Sequence, residues 1–69
     1  MKLYIAYAYG NNDMPYILGI GTDFENAEKI IHENYSGELI ELEKGSFKKP
    51  DSSETDFYIQ EVKANTLLH

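Results

Sequence analysis

Apolar and polar positions change period along the chain. A short apolar run, Tyr16-Ile17-Leu18-Gly19-Ile20, passes through Gly21 into a stretch where apolar residues recur at helical spacing. At 100° per residue, Phe24, Ala27, Ile30, Ile31, Asn34 and Tyr35 fall within an arc of about 140°, and Glu25, Asn26, Glu28, Lys29, His32 and Glu33 cover the rest. That pattern predicts one amphipathic helix lying on one apolar surface. Thr22-Asp23-Phe24-Glu25 fits a capping box, the Thr22 hydroxyl accepting from the Glu25 backbone N–H and the Glu25 carboxylate accepting from that of Thr22. Asp23, Glu25 and Glu28 also place negative charge near the positive end of the helix dipole. Ser36-Gly37 offers the stop, with Gly37 expected in the left-handed conformation.

The flanking segments read as strands. Leu3 to Tyr9 is rich in β-formers and apolar on both faces, with Leu3, Ile5, Tyr7 and Tyr9 on one and Tyr4, Ala6 and Ala8 on the other. Such a strand belongs in the middle of a sheet whose two faces are both covered. Gly10-Asn11-Asn12-Asp13 is a turn, and Pro15 begins a second strand, so the two strands form an antiparallel hairpin. After the helix, Glu38 to Glu43 predicts a third strand with Ile40 and Leu42 inward. Lys44 to Asp56 is polar, contains Gly and Pro, shows no periodicity and is expected to be a long loop. Phe57 to Lys63 predicts a fourth strand, in which Phe57 and Ile59 compete with Tyr58 and Val62 for the core face. Ala64 to His69 is expected to be a frayed tail. The expected fold is therefore α+β, a single small domain over residues 1–63 in the order β-β-α-β-β, an antiparallel sheet with one helix on one face.

Composition narrows the chemistry. A chain of 69 residues buries only about 60% of its unfolded surface and gains little stability from its core alone. It has no cysteine, which excludes a disulfide, a thiolate metal site and a thiol nucleophile. No apolar run approaches the roughly 18 residues of a membrane span, and Met1-Lys2-Leu3-Tyr4 does not open a signal peptide, so a soluble, cytoplasmic protein is expected. Twelve acidic residues against six lysines, with no arginine, leave a formal charge of −6. That balance opposes direct nucleic-acid binding, which needs clustered cations, and arginine is the usual reader of phosphates.

The candidate chemical motifs have structural readings that outweigh them. Gly19-Ile20-Gly21 before a helix matches the start of a dinucleotide-binding turn, but Phe24 stands at the third glycine position and Asp23 and Glu25 would repel a phosphate, leaving a cap and turn. His32-Glu33 is half of a zinc motif whose second histidine position is Ser36, leaving a solvated histidine. Glu38, Glu41, Glu43, Asp56 and Glu61 lack the spacing of a metal or acid–base site and read as solvated strand faces. No Ser, Thr or Lys has an activating base. No enzyme, cofactor or metal site is expected.

The stretches Lys2-Leu3-Tyr4-Ile5-Ala6-Tyr7, Ile17-Leu18-Gly19-Ile20-Gly21-Thr22, Glu25-Asn26-Ala27-Glu28 and Tyr58-Ile59-Gln60-Glu61-Val62 together resemble short uncharacterised accessory proteins of phages, prophages and Gram-positive bacteria. Those proteins have a hairpin, a glycine-containing entry to a helix with E-x-A, and a closing I-x-E-V strand. The resemblance covers most of residues 1–63, rests on structural motifs and transfers no catalytic residue. It implies a phage-type accessory factor in the cytoplasm of a bacterial host.

Two features point to partners. Phe47-Lys48-Lys49-Pro50 puts an aromatic and two cations in the 44–56 loop of an acidic protein. With Glu41 and Glu43 they form the expected partner-binding set, suited to inhibiting a host defence or nucleic-acid-processing protein through charge complementarity. The doubly apolar first strand, with Tyr4, Ala6 and Ala8 on the face assigned to self-association, suggests a homodimer or higher oligomer. The alternative is an oligomer that sequesters a small anion such as a nucleotide through Lys48 and Lys49.

Overall fold

Strand β1 (Lys2–Tyr9) lies inside the sheet, as its apolar faces require, pairing antiparallel with β2 (Pro15–Gly21) on one side and β5 (Phe57–Lys63) on the other. The computed structural model describes residues 2–10 and 14–63; the end of the 10–13 turn and the 64–69 tail lie outside these. Helix α1 (Phe24–Asn34) carries the chain across one face of the sheet, and β3 (Ile40–Glu43) and β4 (Ser46–Lys48) complete an antiparallel sheet in the order β2-β1-β5-β4-β3. The molecule is α+β, a five-stranded antiparallel sheet with one helix.

Two local features put the helix down. The cap is Asp23 rather than Thr22: its carboxylate accepts from the Asn26 backbone N–H at 2.8 Å, and Glu25 is not part of a box. Asp23 wins because its residue conformation is extended, leaving Asn26 as the third helical residue whose N–H has no intrahelical acceptor. The second feature is a pair of glycines. A Cβ on Gly19 would stand 3.1 Å from Ile30, and one on Gly21 would stand 2.9 Å from the Asn26 Cβ and 3.0 Å from the Ala27 nitrogen. Gly19 and Gly21 are thus the seat of the helix on β2.

Beneath the helix, Ala6, Ala8, Ala27, Ile31, Phe47 and Phe57 form the buried cluster, joined by Tyr4, Leu18, Ile30, Tyr35, Leu39 and Ile59. Phe57 and Ile59 therefore take the core face of β5, and Tyr58 and Val62 the other. The C-terminal stop differs from expectation. Tyr35 caps the helix in an extended conformation, its N–H donating to Ile31 O at 3.0 Å, and Gly37 has no positive φ. What Gly37 provides is room, since a Cβ there would lie 2.7 Å from the Tyr35 ring.

The second half departs further. The 44–56 segment is a loop only from Lys49 onward: Lys44-Gly45 makes a tight turn into β4, with Gly45 at φ 88°, a region that other residues enter only with strain. Ile40 and Leu42 do not point inward, for they are 39% and 48% exposed while Leu39 joins the core. The register shift between Glu41 and Glu43 breaks the alternation on which the inward reading rested.

Gly21→Ala should destabilise the protein by about 1–3 kcal/mol through overpacking against backbone, and Gly37→Ala by less because a flexible ring can yield. Urea unfolding of both variants checks this ordering; equal midpoints would contradict the helix seat.

Candidate functional site

The N-terminal half of α1 faces the edge strand β3 across an open groove of about 620 Å³, lined by Phe24, Glu25, Glu28, Glu41, Leu42, Glu43 and Lys44. Each wall has a local cause. The cap at Asp23 starts the helix so that Glu25 and Glu28, three residues apart, stand on one side of it. The Lys44-Gly45 turn brings Glu41 and Glu43 opposite them. Phe24 and the exposed Leu42 supply the apolar floor, and the Lys44 ammonium lies over the Phe24 ring at 5.1 Å from its centroid.

A smaller hollow of about 290 Å³ adjoins it around the same Phe24 and Lys44, with Tyr4, Ile59 and Glu61. Tyr4 packs edge-on to Phe24, ring centroids 6.2 Å apart. Its hydroxyl donates to Glu61 Oε1 at 2.9 Å, and Lys2 Nζ stands 3.4 Å from the same oxygen. The Tyr4 hydrogen bond first, and the Lys2 charge second, hold the Glu61 carboxyl below the usual glutamate range. The same hydrogen bond raises the Tyr4 phenol, because its ionised form would lose the bond and face a carboxylate. Five carboxylates therefore surround one aromatic ring that a single lysine covers.

The structure joins the expected partner residues only in part. Glu41 and Glu43 are exposed and share the groove with Glu25 and Glu28. Phe47 is instead 4% exposed, in the core, with His32 edge-on to it at 5.9 Å. An aromatic in a loop looked available to a partner because β4 was not recognised; within a strand, alternation turns Phe47 inward. Lys48 and Lys49 serve the loop. The Lys48 ammonium donates to Ser52 O at 2.9 Å and Lys49 O at 3.4 Å, and the Lys49 ammonium sits 5.1 Å from the Tyr35 ring centroid. Asp56 ties the loop to the sheet. Its carboxylate accepts from the Lys49 N–H, its N–H donates to Phe47 O, and its carbonyl accepts from the Tyr9 N–H. A polar hollow of about 570 Å³ over this loop is lined by Lys49, Glu54 and Asp56 among others.

The self-association set is also relocated. Tyr4, Ala6 and Ala8 lie on the helix side, Ala6 and Ala8 buried beneath it, so the face of β1 turned away from the helix is the one carrying Leu3, Ile5, Tyr7 and Tyr9. The expected assignment of Tyr4, Ala6 and Ala8 to self-association fails because both faces of β1 are apolar and hydrophobicity does not separate them. The signal that could have decided it is the opposed pair Ala6 and Gly19, small residues that admit a helix.

Among the described residues no three His, Asp or Glu side chains converge as a metal site requires, and no helix is long and apolar enough to cross a membrane. Comparison with protein-family models, with curated proteins and with solved structures finds no match.

Tyr4→Phe should keep the packing on Phe24 yet let the Glu61 carboxyl titrate closer to the ordinary glutamate value of about 4.3. A carboxyl titration followed by NMR reads this directly. In the parent protein the Glu61 contribution to stability is present above the unfolded pKa and lost as pH falls through the lower folded one; a Glu61 in the variant that titrates as low as in the parent would contradict the hydrogen bond.

Proposed function

We propose that this is a small acidic, non-enzymatic binding protein that engages a basic surface on another protein through the groove between α1 and β3. Its partner is a nucleic-acid-processing or defence protein of a bacterial host, inhibited by occupation of the surface that would hold phosphates, in the manner of a phage-type accessory factor. The observation that carries this reading is the groove itself: Glu25, Glu28, Glu41 and Glu43 around the Phe24 and Leu42 floor.

That combination suits a cationic side chain of a partner. An arginine stacks on an aromatic face while its edge donates to carboxylates, and here Lys44 already occupies the equivalent place on Phe24 as an internal stand-in. A partner's arginine would displace Lys44 and gain the surrounding carboxylates. The low density of cations on the groove side keeps the steering field negative, which speeds encounter with basic proteins and repels nucleic acid. The small-anion alternative draws less support, since Lys48 and Lys49 are engaged by loop carbonyls and by Tyr35.

Immobilised protein should capture from bacterial lysate a partner that duplex DNA and moderate salt both release, and Glu41→Lys with Glu43→Lys should abolish that capture. Even neutral Glu41→Gln with Glu43→Gln should weaken it by about two- to thirty-fold, at roughly 0.2–1 kcal/mol per exposed ion pair. A partner indifferent to DNA, or held equally well by the charge-reversed variant, would overturn the reading.

A further inference from the structure

The sheet face opposite α1 is almost free of charge. β1 contributes Leu3, Tyr7, Tyr9 and Ile5 to it, the last only 6% exposed, β5 contributes Tyr58, and β2 contributes the outer part, Ile17 and Ile20, which are 55% and 54% exposed. The two isoleucines share this side although three residues apart, because the bulge in β2 between the partners of Ala6 and Tyr7 turns Leu18 to the core. Tyr7 stacks on Tyr58 at 4.7 Å and Tyr9 leans on it at 5.5 Å, so the rings form a fixed aromatic strip beside an aliphatic one.

We propose that a second copy of this chain covers the face, the two sheets packing into a four-layer helix–sheet–sheet–helix dimer. Three observations choose this occupant. Charge permits it: each copy carries −6 overall, yet none of the positions that β1, β2 and β5 place on this side is charged. Lys48, at the β4 end, is turned to the loop carbonyls. Two strongly acidic chains can therefore meet here without bringing their carboxylates together, whereas approach through the helix side sets Glu25, Glu28 and Glu41 of each copy against those of the other.

Area allows a weak dimer. The strands stand about 4.8 Å apart and rise about 3.3 Å per residue, so the overlap of β2, β1 and β5 has a flat footprint of about 350 Å² before side-chain relief. Stable specific interfaces begin near 600 Å² per partner, which places this association at the weak end.

Shape supplies the third reason, because the face is self-complementary. A two-fold axis along β1 lays β2 of one copy over β5 of the other, at the usual spacing of about 10 Å for stacked sheets. Ile17 pairs with Tyr7 across β1 and Tyr58 pairs with Tyr7 on the other side, so all three stand at one level of the sheet. The axis therefore sets the aliphatic strip of each copy on the aromatic strip of its mate. Both α1 layers then face outward, and both grooves stay open to partners.

The absence of cysteine from the chain gives a clean test. Sedimentation equilibrium from about 1 μM to 1 mM should show a dimer, and Ile17→Lys with Ile20→Lys should raise its dissociation constant by more than about 100-fold while the circular dichroism spectrum is kept, because a buried unpaired charge is costly at an interface and harmless at an exposed site. Mixing Ile17→Cys protein with Tyr58→Cys protein and adding a bismaleimide linker about 10 Å long should give a crosslinked heterodimer, because stacked sheets stand about 10 Å apart, more than the roughly 7 Å between Cα atoms that a direct disulfide allows. A monomer at every concentration would overturn the proposal. So would a dimer that the lysines leave intact, or one in which Ile17→Cys crosslinks to itself and not to Tyr58→Cys, the outcome of pairing through the β2 edge.

Discussion

Everything in this fold follows from a strand that is apolar on both sides and, among the described residues, a single helix with which to cover it. β1 must sit inside the sheet, so the hairpin with β2 and the return of β5 are both required to satisfy its backbone. The helix goes where small residues admit it: Ala6 and Ala8 on β1, Gly19 and Gly21 on β2, and Ala27 on its own face. That leaves the bulkier side, with its tyrosines and isoleucines, facing away. Each isoleucine left half-exposed there forgoes about 1 kcal/mol of burial, a serious loss for a domain of this size.

The first half of the chain was legible because its periodicity and its backbone agree. The change from the β2 run to helical spacing at Phe24 placed the helix, and the apolar faces of Leu3 to Tyr9 placed β1 inside the sheet. The cap slipped by one residue because Thr22 and Asp23 are both good caps, and only tertiary seating on Gly21 separates them. The second half was less legible because it is an edge. β3 and β4 are short, bulged and half-polar, so pattern alone does not distinguish Ser46-Phe47-Lys48 from loop, and the burial of Phe47 follows only once the Gly45 turn is known. The candidate site was legible in proportion: Glu41 and Glu43 were visible as exposed acids, but their opposition to Glu25 and Glu28 is a product of the turn and the helix cap acting together.

The same economy divides the surface by charge. Carboxylates crowd the helix side, where they border Phe24, Leu42 and Lys44, and leave the opposite sheet face nearly bare. The proposed roles, an acidic side that would attract basic proteins and an uncharged side that would accept a like copy, are compatible in one small molecule because the sheet holds them apart. The dimer would offer two outward grooves, and a partner with repeated basic sites would gain from engaging both.

The most direct test of this account is an isotope-filtered NMR experiment on a mixture of ¹³C-labelled and unlabelled protein, which reports only contacts between copies. The account predicts intermolecular signals from the Ile17 and Ile20 methyl groups to the Tyr58 and Tyr7 rings. Intermolecular signals confined to the helix side, or none at concentrations near 1 mM (about −4 kcal/mol of association), would contradict it.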